Sequence, residues 1–335
     1  MIYLISLISD HLIPNYLLIK EMEGKYNELI FITTLKMKGM CKGKRVEKAL
    51  GLKESSVRRI EVSEEDLNDI IAKLESELFD SRDQFIVNIT GGTKIMSIGV
   101  YEFFSRFSSS FYYIPIGKNK IKNVKTSEDV PLNYRVNLKE YLNLYGLTYE
   151  CNNSLYYPAE YTIDLFTKFK QVGFNRKRIS EIDNIRVFKT EREQRYYSGA
   201  WFEEYTYLKI KEEKKLKDDF ICTGAKIYRS NSGNLNDNEV DIILVSDNKL
   251  YIGECKVSMI GTPELRGTRL LEQYMYKLAA IAKDFGLIVN SYIFTLHSFN
   301  TVSPQRMKAI EKRMRILGIS GILDRTAFRH DKLML

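Results

Sequence analysis

Cysteine, histidine and proline are scarce in this chain, whose 335 residues include four cysteines, three histidines and six prolines. The cysteines lie far apart and form no CxxC pair, so the sequence predicts neither a zinc site nor a disulfide framework. The histidines, at positions 11, 297 and 330, are too scattered to indicate a catalytic cluster. We therefore expect a protein of a reducing cytoplasm. Its cysteines are Cys41, Cys151, Cys222 and Cys255.

Long apolar runs are also absent. No segment approaches the ~18 consecutive apolar residues of a membrane-spanning helix. The N-terminal MIYLISLISD lacks the basic flank of a signal peptide and is typical of a first β-strand. With 44% apolar and 28% charged residues, the composition is that of an ordinary globular protein, long enough for two domains. We expect no membrane partner.

Positive charge exceeds negative charge, and the formal net charge is +8. The basic residues are concentrated at residues 168–195 and 306–332. Such segments could follow a phosphate backbone, but a solvated basic face is equally compatible with them on charge alone. The charge therefore permits a nucleic-acid partner without demonstrating one.

The first 117 residues alternate strand-like and helix-like patterns. One helix is predicted over residues 63–79, where Ser63 can cap and an apolar stripe runs from Leu67 to Leu78. Strand–helix alternation predicts a parallel sheet with helices on both faces, a Rossmann-like domain. The strand-like segments are IYLISLIS, ELIFITT, VRRIEVS, QFIVNIT and SFYYIPI.

Two loops of this domain predict a ligand site. If the strand order is 3-2-1-4-5, the loops after strands one and four face each other where ligands bind in such sheets. The second loop contains Gly-Gly-Thr-Lys before a helix, which can offer free amides, a hydroxyl and a cation to phosphate. It matches neither G-x-G-x-x-G nor Walker A, and it could be no more than a tight turn. The candidate ligand residues are Ser9, Asp10, Asn15, Thr90, Gly91, Gly92, Thr93 and Lys94.

The rest of the chain follows a different pattern. We interpret residues 118–190 as a connector, within which residues 118–157 mix basic, Asn-rich and short helical signals and are the expected mobile element. From residue 191 onward a helix at 198–216 precedes a hairpin, which is followed by a helix, a strand and a basic helix. The sequence therefore predicts domains at 1–117 and 191–335, the second an α/β domain with an antiparallel start.

Three charged residues interrupt the apolar hairpin at residues 240–257. With a two-residue turn, Asp241 lies opposite Glu254 on one face of the hairpin, and Lys256 shares that face. Two carboxylates this close repel each other unless a positive charge lies between them. A hard divalent cation, Mg²⁺ or Mn²⁺, is the expected occupant.

This D…ExK hairpin resembles the PD-(D/E)xK nuclease superfamily, although Val240 stands where the motif has proline. The resemblance implies that Asp241, Glu254 and the backbone carbonyl of Cys255 hold the metal. It implies that Lys256 orients the attacking water and offsets charge on the phosphorane. A glutamate on the preceding helix completes the site in that superfamily.

Two glutamates in GAWFEEY can fill this last position. The F-E-x-Y pattern of the resemblance points to Glu203, whereas a helical wheel places Glu204 nearer the edge of the core. The sequence leaves this choice open.

Both halves together resemble one family. The segments SDHLIPN and NITGGTKIMSIG, joined to GAWFEEY, EVD and GECK, resemble the CARF–PD-(D/E)xK effector nucleases of type III CRISPR antiviral systems. The resemblance implies a homodimer that binds a cyclic oligoadenylate, most often the tetra-adenylate, between two CARF domains. The ligand then activates metal-dependent cleavage of DNA, RNA or both. The ring size and the substrate stay open.

Two alternatives remain. Residues 325–330 match the R-x4-H motif of HEPN ribonucleases, which are all-helical and would cleave RNA in EDTA. A CARF transcription regulator could bind DNA through the basic second half without cutting it, but this leaves Asp241, Glu254 and Lys256 unexplained. Absence of cleavage with both metal and ligand would favour the regulator.

Overall fold

The computed structural model describes the chain except residues 54–55, 152, 175–178, 186, 230–237, 260–267, 287, 331–332 and 334. It divides into two compact units, Met1–Leu147 and Thr148–Leu335. No helix in the described part of the chain is both long and apolar enough to span a bilayer.

The first unit alternates strands and helices. Its elements are β1 (Ile2–Leu7), α1 (Ile13–Glu21), β2 (Glu28–Thr33), α2 (Leu35–Gly39), α3 (Lys42–Ala49), β3 (Arg58–Glu61), α4 (Leu67–Glu75), β4 (Gln84–Asn88), α5 (Lys94–Phe104), β5 (Ser108–Tyr113), β6 (Lys120–Asn123), β7 (Asp129–Pro131) and α6 (Leu138–Leu144).

These strands form one sheet in the order β3-β2-β1-β4-β5-β6-β7. The four pairings among the first five strands of this order are parallel, and β1 lies between β2 and β4. The central strands are buried along almost their whole length, as parallel strands covered by helices on both faces are. The Rossmann-like fold and the predicted order of its first five strands are confirmed.

The helix predicted over residues 63–79 is shorter at both ends in the structure, where it spans Leu67–Glu75. The side chain of Asp66, not that of Ser63, caps α4 by accepting from the amides of Asn68 and Asp69. The helix stops at Glu75, and the Leu78 side chain is 98% exposed. The prediction that Leu78 joins the apolar stripe was therefore wrong, because the chain leaves the helix before that turn.

The region interpreted as a connector, 118–190, is folded in both units. β6 and β7 extend the first sheet by antiparallel pairing, and α6 begins with a capping box between Asn137 and Glu140. The boundary between the units lies at Leu147. The sequence did not predict β6 and β7, because they are short and polar. Pairing at the edge of a sheet stabilises such strands in a way that local sequence does not reveal.

The second unit is also built on one sheet. Its elements are β8 (Leu147–Glu150), α7 (Ala159–Gln171), α8 (Ile179–Ile182), α9 (Glu191–Arg195), α10 (Trp201–Glu213), β9 (Ile221–Arg229), β10 (Asn238–Ser246), β11 (Lys249–Lys256), α11 (Thr268–Ala282), β12 (Val289–Thr295), α12 (Pro304–Leu317), β13 (Ile319–Leu323) and α13 (Arg325–Arg329). A π-helical turn at Tyr196–Ala200, broken at Gly199, precedes α10.

The strand order is β13-β12-β11-β10-β9-β8. β9, β10 and β11 pair antiparallel, whereas β12 and β13 continue in parallel. The predicted α/β domain with an antiparallel start is therefore confirmed. Trp201 and Phe202 of α10 pack in its core with Ile242 of β10 and Phe294 of β12.

Cys151 and Cys222 form a disulfide in the second unit. The expectation of no disulfide was wrong because it rested on sequence spacing. The two cysteines are 71 residues apart in sequence, yet the fold brings their Cα atoms within 5.9 Å. Cys41 and Cys255 are free thiols, the first exposed and the second buried.

Candidate active site and ligand-binding cleft

The β10–β11 hairpin has the predicted register. Ser246 pairs with Lys249 across a two-residue turn, and the pairing runs on to Ile242 and Gly253. The turn residues Asp247 and Asn248 both have positive φ angles, 52° and 60°, as a type I′ turn requires. The next opposed positions along this register are Asp241 and Glu254.

Three oxygen atoms converge on the ammonium group of Lys256. Its Nζ lies 3.1 Å from Oδ2 of Asp241, 2.7 Å from Oε1 of Glu254 and 2.8 Å from the carbonyl oxygen of Cys255. Asp241 Oδ2 also accepts the backbone N–H of Cys255 at 2.7 Å. The carboxylate and carbonyl groups that the sequence nominates as metal ligands therefore surround one point.

Burial and close charges shift the pKa values of the groups in this cluster. The Glu254 side chain is 3% exposed. Burial raises the pKa of Asp241, and the negative charge of Glu254 raises it further, against the opposing effect of Lys256. Burial alone would lower the pKa of Lys256, but the charges of Asp241 and Glu254 outweigh it, and the pKa is raised. Lys256 is therefore a permanent cation at neutral pH.

The two candidate glutamates of α10 have different surroundings. Glu204 accepts the backbone N–H of Tyr156 at 2.8 Å and the hydroxyl of Thr162 at 3.4 Å, so its carboxylate is engaged with the polypeptide at the start of the second unit. Burial raises the pKa of Glu203 to about 7, and Asp241 is the next largest cause. Glu203 is thus the one that interacts electrostatically with the Asp241–Lys256 cluster.

Lys277 of α11 is a site residue that sequence reasoning missed. Its Nζ lies 3.1 Å from Oε1 and 2.9 Å from Oε2 of Glu254. A lysine on an amphipathic helix normally faces solvent, so nothing in the sequence singled it out. Only the packing of α11 against β11 reveals the contact.

A cavity of about 610 Å³ adjoins the cluster through Glu203. Its lining combines both signs of charge with aromatic rings, including Arg192, Arg195, Lys226, Glu239, Tyr156 and Tyr196. Arg192 stacks over the Tyr156 ring at 5.0 Å. Such a lining can accept a polar, partly aromatic ligand beside the carboxylates.

The donor set suits a hard cation. Two carboxylates and one backbone carbonyl already hold a cation, the Lys256 ammonium, and oxygen ligands are those that Mg²⁺ and Mn²⁺ prefer. Across the described ranges, no three His, Cys, Asp or Glu side chains cluster closely enough to hold a metal. A cation here would therefore need water or substrate oxygens to complete its coordination.

The first unit has its own cleft, of about 300 Å³, at the carboxyl ends of its parallel strands. Five predicted ligand residues line it: Ser9, Asp10, Thr90, Gly92 and Thr93. Side chains that the sequence did not nominate also line it, among them His11, Thr34, Lys36 and Glu64. These follow β1, β2 and β3, and only the strand order brings them together.

Three other predicted ligand residues lie outside the lining. Asn15 is buried, and its side-chain amide donates to Ser6 Oγ at 2.8 Å and to the Leu7 carbonyl at 2.7 Å. Gly91 is buried, and a Cβ there would stand 2.2 Å from the Leu7 carbonyl. Lys94 is exposed at the start of α5. Asn15 and Gly91 therefore pack against the end of β1.

Internal contacts fix the walls of the cleft. Thr93 caps α5 through the amide of Met96 at 3.2 Å and donates to the Glu64 carbonyl at 2.6 Å. Lys42 pairs with the Asp10 carboxylate at 3.0 Å. These contacts hold three loops around one opening before any ligand binds.

The R-x4-H match at residues 325–330 lies in a different setting from a HEPN site. Arg325 begins the short helix α13, and its Nε donates to the Leu296 carbonyl at 2.8 Å. The second unit is built on a six-stranded sheet, which an all-helical HEPN fold lacks. Arg325 therefore ties α13 to the end of β12.

Two family models match the sequence. Residues 3–141 match the Card1 CARF domain, and residues 190–329 match the Card1-like endonuclease domain. Asp241, Glu254 and Lys256 lie within the second match. The sequence has no significant match among curated proteins.

Solved structures share the fold at low sequence identity. Can2 from Sulfobacillus thermosulfidooxidans, in complex with cyclic tetra-adenylate, superposes with a TM-score of 0.75 at 17% identity, over 98% of this chain and 97% of that one. VC1899 from Vibrio cholerae gives 0.70 at 15% identity, over 97% and 94%. A type III CRISPR defence DNA nuclease activated by cyclic oligoadenylate gives 0.61 at 15% identity, over 88% of this chain and 45% of that one.

Proposed function

We propose that this chain, which joins a Card1 CARF domain to a Card1-like endonuclease domain, hydrolyses nucleic acid with a divalent cation once a cyclic oligoadenylate occupies its CARF domain. The observation that carries the proposal is the convergence of Asp241, Glu254 and the Cys255 carbonyl on one cation, the Lys256 ammonium. Buried ionisable groups with shifted pKa values and close charge partners are characteristic of functional sites.

The cation would be held by Asp241, Glu254 and the carbonyl oxygen of Cys255. Mg²⁺ or Mn²⁺ bound there supplies polarisation of the phosphodiester and a more acidic bound water. The backbone N–H of Cys255 holds the Asp241 carboxylate in place, so the donors need little rearrangement.

Lys256 supplies positive charge for the reaction. Because its raised pKa keeps it protonated, its ammonium can stabilise negative charge that develops on the phosphate oxygens. Glu203 lines the adjoining cavity and has a pKa of about 7, so it is partly ionised at neutral pH. We assign Glu203 to hydrogen bonding with water or substrate, and Glu204 to the support of the fold.

The cleft of the first unit is the proposed activator site. At about 300 Å³ it lies at the small end of ligand pockets, which span ~300–1,000 Å³. A ring of several nucleotides would need the cleft of a second copy, so we propose a symmetric homodimer around the ligand. Can2, a fold relative, was solved with cyclic tetra-adenylate, and we propose the same ring size here.

We propose DNA as a substrate, since a fold relative is described as a DNA nuclease, and we keep RNA as a second substrate to test. The deciding experiment incubates the purified chain with plasmid DNA and with RNA, with or without Mn²⁺ and each cyclic oligoadenylate. Cleavage that needs both additions supports the proposal. Nucleic-acid binding without cleavage under every condition would support the regulator instead.

A further inference from the structure

Lys277 holds a carboxylate that the proposed function assigns to the metal. It contacts both oxygens of Glu254, while Lys256 contacts Oε1 as well. Two ammonium groups therefore share a carboxylate whose side chain is 3% exposed. A divalent cation on Glu254 would bring a third positive centre to the same group. Like charges at such distances repel each other, so the two ammonium groups cannot both keep their present contacts.

The two lysines differ in how firmly they are held. Lys256 contacts Asp241, Glu254 and the Cys255 carbonyl, its ammonium lies 5.2 Å from the Tyr274 ring, and its side chain is 25% exposed. The Lys277 side chain is 47% exposed, and among the described residues it forms an ion pair with Glu254 alone. Lys277 is therefore the ammonium that can leave Glu254, whereas Lys256 needs only to shift off the point that the cation takes.

The position of Lys277 on α11 also favours movement toward a substrate. Tyr274 and Lys277 are three residues apart and share one face of the helix, so both reach the Glu254–Lys256 pair. Lysine carries a flexible four-carbon stem with a point charge that suits phosphate. Once released from Glu254, its ammonium stays within side-chain reach of the site.

We propose that Lys277 is an exchange residue: it neutralises Glu254 in the metal-free enzyme, releases it when a divalent cation binds, and then pairs with a substrate phosphate. The proposal rests on the metal site of the proposed function. It adds a coupling between cation binding and substrate binding. A substrate that pairs with Lys277 strengthens cation binding, and a cation that displaces Lys277 from Glu254 strengthens substrate binding.

The first measurement is Ca²⁺ affinity by calorimetry, at pH 8 and without nucleic acid. Ca²⁺ serves as a probe that binds oxygen ligands. Lys277→Gln removes the competing charge and should bind Ca²⁺ about tenfold more tightly than the wild type. Lys277→Arg keeps the charge and should stay close to the wild type. Lys48→Gln, on an exposed face of α3, is the control for net charge.

The second measurement is the salt dependence of duplex DNA affinity for the wild type and Lys277→Gln. In Ca²⁺ the wild-type plot of log K against log salt should be steeper by about 0.9, the slope of one phosphate contact. In EDTA the two slopes should agree, because Lys277 then remains on Glu254.

Melting curves establish that the variants are folded. Equal Ca²⁺ affinity in the wild type and Lys277→Gln, or equal slopes in Ca²⁺, would overturn the exchange while leaving the metal site intact. A wild type that binds no Ca²⁺ would remove the metal site itself and the exchange with it.

Discussion

The two units place their functional groups in different parts of similar sheets. In the first unit the cleft is lined by residues of the loops and helix starts that follow the strands, and they combine hydroxyl groups, charged groups and apolar side chains. In the second unit the key groups lie within β10 and β11 themselves, and Glu254 is nearly inaccessible. A loop site can tolerate change in single residues, whereas a charge inside a strand depends on each partner.

The largest effect should come from the strand site. Glu254→Ala removes a carboxylate shared by Lys256 and Lys277, and cleavage should fall at least about a hundredfold. Cyclic oligoadenylate binding should be unchanged, because the ligand cleft lies in the other unit. Glu212→Ala, exposed on the same α10 that carries Glu203, is the control. Full activity of Glu254→Ala with metal present would contradict the assignment of Glu254 to the active site.

In the first unit, the largest effect is expected from a substitution that disturbs backbone packing and lowers stability, not from one that removes a side chain facing the ligand. Gly91→Ala would place a methyl group 2.2 Å from the Leu7 carbonyl, and it should lower the free energy of unfolding by about 3 kcal/mol. Gly39→Ala is the matched control, since a Cβ there meets nothing within 4 Å. Denaturant curves measure both. Equal stability of the two variants would show that the β1 end can shift freely.

Glu203 tests the electrostatics of the strand site. Its pKa, about 7 in the folded protein, exceeds the ordinary value of 4.5, so its ionisation opposes folding. Between these two pH values the folded protein binds more protons than the unfolded chain, and stability falls as pH rises. Glu203→Gln should therefore gain about 3 kcal/mol of stability at pH 8 and nothing below pH 4.5.

The measurement is the difference in free energy of unfolding between Glu203→Gln and the wild type at several pH values. It should increase from pH 4.5 to about 7 and then stay constant. A difference that does not vary with pH would mean that Glu203 titrates normally in the folded protein.

The smallest effect should come from single charges at the loop site. Lys36 lines the cleft, whereas Lys94 is exposed outside the lining. Lys36→Ala should weaken cyclic tetra-adenylate binding about tenfold, the effect of one charge-assisted contact. Lys94→Ala tests the sequence-based prediction that the GGTK lysine reaches phosphate. Cleavage at saturating ligand should stay normal in both variants. If both variants bind cyclic tetra-adenylate as the wild type does, neither lysine contacts the ligand.

The same comparison explains what the sequence could predict. The alternation of β10 and β11 and a two-residue turn were enough to place Asp241 opposite Glu254, because strand register is a local property. The loop motif was a weaker guide. Gly91 and Asn15 serve the end of β1, and Thr34 and Lys36 reach the cleft only through the strand order.

Residues that act through tertiary packing stayed hidden. Lys277 meets Glu254 only because α11 packs on β11, and the Cys151–Cys222 disulfide joins segments that are 71 residues apart. No local pattern carries such information. The assignment of roles to Glu203 and Glu204 likewise depended on tertiary contacts, since Tyr156 and Thr162 both donate hydrogen bonds to Glu204.

The central claim is that Asp241, Glu254 and the Cys255 carbonyl form a cation site now occupied by the Lys256 ammonium. Anomalous diffraction from crystals grown with Mn²⁺ tests it most directly. We predict one manganese peak bound by these three oxygens, with the Lys256 ammonium shifted off the point where they meet and Lys277 released from Glu254. A crystal that contains Mn²⁺ elsewhere, with the Lys256 ammonium still between the carboxylates, would contradict the account.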